Sequence, residues 1–213
     1  MAHKTFTHDA DTPTSEVHGS VRKKSSTPLH TFTFTGKHYL NTQVENTRGR
    51  VVYTISTTKR HLRRAVTSIV DARGRLWAEI HWPDRTFRVK NRVFSWDTVK
   101  TVSEGNIPFM KKNRVWTWAG RDYVPEYHKE QGWLLRDTLA NGVVASFAPS
   151  HLHIFNPSEP PVFRICVDDI YSKDTALILL ILLYSEARRL RRRRRKHLGI
   201  GTAVKVLFVM LLL

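Results

Sequence analysis

From about Thr31 the chain alternates. TFTFT (31–35) sets phenylalanines against threonines, so apolar and polar side chains fall on opposite faces of an extended strand. After HYLNTQV (38–44), strand-like runs recur as RTFRV (85–89), NRVWTW (113–118), RDYVPEY (121–127), GWLLRDTL (132–139), HLHIF (151–155) and VFRICV (162–167). Each is rich in β-branched or aromatic residues and is bounded by Gly, Pro or Asn. Two segments match at a spacing of 25: NTRGRVVYTI (46–55) and DARGRLWAEI (71–80). In both, Asn or Asp precedes Gly by three positions, and the glycine can supply the positive φ of a hairpin bend feeding a strand. The period of two predicts that Val51, Tyr53 and Ile55 share one face, and that Leu76, Ala78 and Ile80 share another. Asn141-Gly142 predicts a two-residue type I′ turn. The count is about ten to twelve strands between residues 31 and 167, with no helical period before Asp174.

There the pattern changes. Ala176, Leu177, Ile178, Leu179, Leu180, Ile181, Leu182, Leu183 and Tyr184 form an unbroken apolar run. A helix built from it is apolar all round and needs an apolar environment on every side. At ~1.5 Å per residue the run covers roughly 14 Å, against about 30 Å of bilayer hydrocarbon, so it is too short for an ordinary span. Burial of each large aliphatic side chain is worth ~1.5–3 kcal/mol, which excludes exposure to water. The reading is a mainly β fold: a closed antiparallel barrel of about twelve strands around one hydrophobic C-terminal helix at 174–190. Asp168, Asp169 and Asp174 before the helix and the arginines after it suit its dipole, with Asp174 or Ser172 as N-cap. Repulsion between successive arginines predicts fraying beyond about Leu190 unless an anion neutralises them. The domain layout is then a disordered lead at 1–30, the barrel at 31–190, and a basic then apolar tail at 191–213.

Charge adds a partner class. The net charge is +17, and residues 185–213 hold nine Lys or Arg against one acid, so +8 falls in that short stretch. Arg188, Arg189, Arg191, Arg192, Arg193, Arg194, Arg195 and Lys196 are the candidate contacts for an anionic phospholipid membrane surface or for nucleic acid. TAVKVLFVMLLL (202–213), too short to span, would either join them as a second, apolar anchoring signal or form a frayed or β-paired tail. Cys166 is the sole cysteine, which favours a reducing, intracellular compartment. MAHKTFTHDADTPTSEVHGS has no apolar core, so no secretory signal is expected.

Catalytic and cofactor signatures are missing: the chain has no GxSxG, HExxH, P-loop or CxxC. GIGTAVK (199–205) lacks phosphate-loop spacing, and no strand leads into it. His151 and His153 lie two apart on a strand but have no third ligand in view, so they read as surface histidines. The six tryptophans read as packing rather than base-stacking platforms. No enzyme, metal, cofactor or small-molecule substrate is expected.

The order NTRGRVVYTIST, TSIVDARGRLWAEIHW, RVWTWAGRDY and then a hydrophobic helix with an Arg-rich exit resembles a family of uncharacterised fungal proteins classed as a domain of unknown function. That family is similar to the tubby-like group, which includes LURP-one-related proteins and phospholipid scramblases. The resemblance covers roughly residues 35–196. It implies a tubby C-terminal-like barrel around a hydrophobic helix, and an association with phospholipids or phosphoinositides. No position matches a tubby phosphoinositide site, and no scramblase-type calcium segment is evident. Two roles follow as expectations. One is a non-enzymatic interaction protein, cytoplasmic or peripheral to a membrane, that meets acidic lipid through its basic tail. The other is a nuclear or nucleic-acid-associated protein that uses RRLRRRRRK as import signal or phosphate-binding arm.

Overall fold

The computed structural model describes residues 29–36, 38–61, 63–96, 100–102, 113–150 and 159–210, with side chains throughout except at 100–102, 113 and 195–210. The strands are β1 Leu29–Phe34, β2 Thr42–Asn46, β3 Val51–Arg60, β4 Arg63–Asp71, β5 Leu76–His81, β6 Thr86–Val89 and β7 Arg92–Ser95. They continue as β8 Lys100–Val102, β9 Asn113–Trp118, β10 Arg121–His128, β11 Gly132–Asp137, β12 Gly142–Ala148 and β13 Val162–Cys166, followed by α1 Lys173–Met210. All thirteen form one antiparallel sheet in the order β7-β6-β5-β4-β3-β2-β1-β13-β12-β11-β10-β9-β8. Every neighbour pair is consecutive in sequence except β1 with β13, which ties the first strand to the last. HLHIF (151–155), with His151 and His153, lies outside the described residues, as do the N-terminal lead to residue 28 and residues 211–213.

The 25-residue repeat is a repeated turn. Asn46 Oδ1 accepts the amides of Arg48 and Arg50 at 3.0 and 3.1 Å, and Asp71 Oδ1 accepts those of Arg73 and Arg75 at 2.9 and 3.0 Å. Gly49 and Gly74 take φ of 68° and 74°, a left-handed conformation that glycine adopts without steric cost. A bulge follows each turn. Val44 pairs with Tyr53 and Glu45 with Val51, leaving Val52 as the extra residue. One repeat later, Ile69 pairs with Ala78 and Val70 with Leu76, leaving Trp77 extra. The bulges overturn the simple alternation. Val52 and Trp77 are buried with Tyr53, Ile55, Ala78 and Ile80, whereas Leu76 is 48% exposed and Val51 is only half-buried.

The Asn141-Gly142 hairpin also differs from its expected form. Asp137 pairs with Gly142, so the loop holds four residues rather than two, and only Asn141 of the pair has positive φ, 47°. The Asp137 carboxylate organises the wider turn by accepting the amides of Leu139 and Ala140 at 2.9 and 3.2 Å.

The sheet packs against α1, and every side chain from Thr175 to Glu186 is buried. Ser172 is the N-cap: its hydroxyl accepts the Thr175 amide at 3.1 Å. Asp174 instead accepts Trp118 Nε1 at 2.6 Å. The loop into the helix is held by the Tyr53 hydroxyl on the Ile170 carbonyl and by Trp77 Nε1 on the Tyr171 carbonyl at 3.3 Å. The helix does not stop near Leu190 but runs through the arginines to Met210. Arginine is a strong helix former, and i,i+4 repulsion of a few tenths of a kcal/mol per pair is too small to break an already nucleated helix.

A closed barrel is not what the ladder forms. The sheet ends at β7 and β8, and no strand pairing joins them among the described residues. Curvature nevertheless brings the ends together through side chains. Phe94 of β7 meets Trp118 of β9 at 4.6 Å between ring centroids, and Phe87 of β6 stacks on Trp116 at 5.1 Å.

Candidate anion-binding cleft

At the C-terminal end of its buried segment, α1 leaves the sheet beside a cleft of about 980 Å³. Five parts of the structure supply its lining. The start of β4 brings Arg63 and Arg64, and the β5–β6 turn brings Trp82, Pro83 and Arg85. Trp96 after β7 and Arg114 on β9 continue the wall. The helix adds Tyr184, Ala187, Arg188, Leu190, Arg191, Arg192 and Arg194. Eight of these fourteen residues are arginines, and none is Asp or Glu.

The aromatic wall begins at Tyr184, which ends the apolar run. Its ring packs against Trp96 at 4.4 Å, Trp116 at 5.5 Å, Phe87 at 5.6 Å and Trp82 at 6.3 Å. Its hydroxyl accepts a hydrogen bond from Arg114 Nη1 at 2.8 Å, and that guanidinium also lies 5.9 Å from the ring centroid. Arg64 sits 5.2 Å over Trp82. Trp96 is 8% exposed, and its Nε1 has no hydrogen-bond partner among the described residues. Burial lowers the Arg188 pKa, and repulsion from Arg114 and Arg192 pushes the same way. Even so lowered, a guanidinium keeps its charge in a protein. The lining thus offers cations and donors. Apart from the Tyr184 hydroxyl, it has no side chain suited to accept or relay a proton near neutral pH.

The residues singled out from sequence divide. Arg188, Arg191, Arg192 and Arg194 line the cleft, whereas Arg193 is exposed outside the lining. The Arg195 and Lys196 side chains lie outside the described residues. Arg189 is occupied elsewhere: it makes two 2.6 Å bonds to Glu186 and lies 4.4 Å over Tyr127. Sequence reasoning missed Arg63, Arg64, Arg85 and Arg114, together with Trp82, Trp96 and Tyr184 as their aromatic wall. One signal was available in the basic run KRHLRR (59–64), but Arg85 and Arg114 stand apart in sequence and only the sheet gathers them.

Among the described residues, no three His, Cys, Asp or Glu side chains group as metal ligands, and no helix is long and apolar enough to cross a membrane. A profile described as a family of unknown function, DUF6593, matches residues 37–191. No curated protein matches the chain. Among solved structures, the X-ray structure of protein AT5G01750 from Arabidopsis thaliana is similar at 11% identity and a TM-score of 0.43, over 76% of this chain and 93% of that one.

Proposed function

Because the chain belongs to the DUF6593 family, whose function is unknown, we propose its role from the cleft: a non-enzymatic interaction protein that associates with anionic phospholipid at a membrane surface. The observation that carries this reading is the eight-arginine lining without an acid. Near anionic lipid each Lys or Arg is worth about 1 kcal/mol, so a cleft opening beside a basic helix concentrates a useful attraction on one face. A lining of arginines, aromatic rings and short apolar side chains supports binding rather than turnover. The fold that goes with this reading is a tubby-like, LURP-one-related one, an open sheet around the helix with Phe94 and Trp118 in contact near its two ends. Intracellular placement at a membrane periphery fits the same chemistry.

Nucleic acid is the competing partner, since the same cations suit a phosphate backbone. The aromatic side chains argue for the lipid. Trp82 already carries Arg64 and stacks with Tyr184, so it is not a free platform for a base. The test is co-sedimentation with vesicles of phosphatidylcholine alone or with phosphatidylserine added. Recovery only with phosphatidylserine is expected, and equal recovery in both removes the proposal. Nuclear accumulation of a tagged chain, abolished by replacing Arg191 to Arg195, would favour the competing reading.

A further inference from the structure

At the opposite end of the buried helical segment lies a second recess with different chemistry. There β1 outruns one of its neighbours: its register with β2 ends at Phe32 opposite Asn46, while its register with β13 continues to Leu29. Thr35 donates its amide to the Gln43 carbonyl on the β2 side, so by the period of two the Thr33 and Thr31 amides turn the same way. Beyond Asn46 the chain bends into the turn before β3, and Thr31 is left facing a recess of about 280 Å³ in place of a strand. Arg48 and Arg50 of that turn line it, both exposed and neither in an ion pair among the described residues. The lining holds no Asp or Glu; Asp169, on the loop that bears Ile170, lies outside it and accepts the Tyr171 amide at 2.9 Å. Phe32, Ile170 and the 61% exposed Leu29 supply apolar contact. His30, stacked on Phe32 at 6.4 Å, has a buried Nε2 with no hydrogen-bond partner among the described residues, and buried polar atoms are as a rule paired.

We propose that this recess docks a short extended segment of a partner protein that carries a carboxylate, its main chain adding to β1 along Leu29–Thr31 and its acid held by Arg48 and Arg50. An unpaired strand edge is a template for an incoming strand, with main-chain bonds giving affinity and flanking pockets giving specificity. Guanidinium–carboxylate bonds are charge-assisted and roughly twice as strong as neutral ones. Two arginines with no acid in the lining therefore single out an acidic segment. A recess near the ~300 Å³ lower end of ligand pockets takes a short stretch of chain, not a folded surface. The site is separate from the arginine cleft, because Ile170 precedes α1 whereas the cleft opens beside Tyr184 to Arg194.

The test titrates the isotope-labelled full chain with the blocked tripeptide acetyl-Val-Asp-Val-amide, followed by heteronuclear NMR; its β-branched residues suit a strand. The comparison probes are acetyl-Val-Asn-Val-amide, a fully N-methylated form of the acidic peptide, acetate and inorganic phosphate. Expected are saturation at one acidic peptide per chain and shifts centred on Thr31, Arg48 and Arg50. The Asn peptide should bind about tenfold or more weakly, and N-methylation should abolish binding. The double variant Arg48→Gln/Arg50→Gln, at exposed positions, should weaken binding of the acidic peptide about tenfold or more. Arg192→Gln in the cleft and Arg92→Gln on β7 should each change it less than about twofold. The dispersion of the same spectra reports whether each variant is folded, and the Asp-to-Asn comparison tests the wild type whatever the variants do. Equal affinity for the two peptides, binding retained after N-methylation, or no saturable shift at Thr31 overturns the proposal. Acetate or phosphate binding as tightly as the peptide overturns it in favour of a small anion. Self-association of the chain that the double variant abolishes overturns it in favour of a second copy.

Discussion

Glu186 is 1% exposed on the helix, beside the cleft but outside it. Its carboxylate takes two bonds of 2.6 Å from Arg189 and one of 2.9 Å from Trp133 Nε1. The Arg189 side chain is only 15% exposed, so this ion pair is largely out of solvent. Breaking a buried pair by removing one partner costs about 3–5 kcal/mol, because the surviving charge keeps its desolvation penalty. Glu186→Gln preserves volume and one acceptor for Trp133, which places the expected loss near the lower end, about 3 kcal/mol. For a chain of this size that corresponds to a fall in Tm of roughly 6–12 °C. Urea denaturation followed by tryptophan fluorescence and circular dichroism would measure it in the wild type, Glu186→Gln, Arg189→Met and the double variant. The double variant should lose less than the sum of the singles, by about 2 kcal/mol. Additive losses, or a cost below about 0.5 kcal/mol for Glu186→Gln, would show a solvated pair and refute the reasoning.

Other perturbations probe separate parts of the structure. Leu180, fully buried in the apolar run, should lose about 2–5 kcal/mol on replacement by alanine, measured by the same denaturation. Gly132 combines φ of 81° with close approach to the Phe147 carbonyl and to Pro149, so Gly132→Ala should cost more than Gly74→Ala. Gly74 has similar φ but open space, and its substitution should cost only about 1–2 kcal/mol. The bond from Arg75, with the turn amides helping, holds the Asp71 carboxyl below its usual pKa. That stabilisation is present at neutral pH and is lost as pH falls below about 4 and on through the depressed folded-state value. Asp71→Asn should fold, since Asn46 performs the same turn, and should flatten the acid limb of a stability–pH profile.

What the chain order discloses and what it hides divide along physical lines. The enclosed segment was legible because nine consecutive apolar residues leave no face for water. The twin turns were legible because an Asx side chain and a glycine act within five residues of chain. The bulges at Val52 and Trp77 were not, since an extra residue changes facing without changing composition. For the same reason Leu76 was set on one face with Ala78 and Ile80, whereas it is exposed and Trp77 is buried with them. The Arg-rich run was legible as a block of cations, but not that Arg189 is used internally by Glu186. Half of the cleft lining depends on sheet order. Arg64 and Arg114 are fifty positions apart and share a wall only because the sheet curls around the helix.

The most direct measurement sets two variants of equal net charge against each other on phosphatidylserine vesicles at physiological ionic strength. One carries Arg114→Gln, Arg188→Gln and Arg192→Gln; the other carries Arg193→Gln, Arg195→Gln and Lys196→Gln. If the folded cleft is the recognition element, the first variant stays in the supernatant and the second sediments nearly as the wild type does. Equal losses, or a greater loss in the second, would place recognition in the linear basic run and contradict the account.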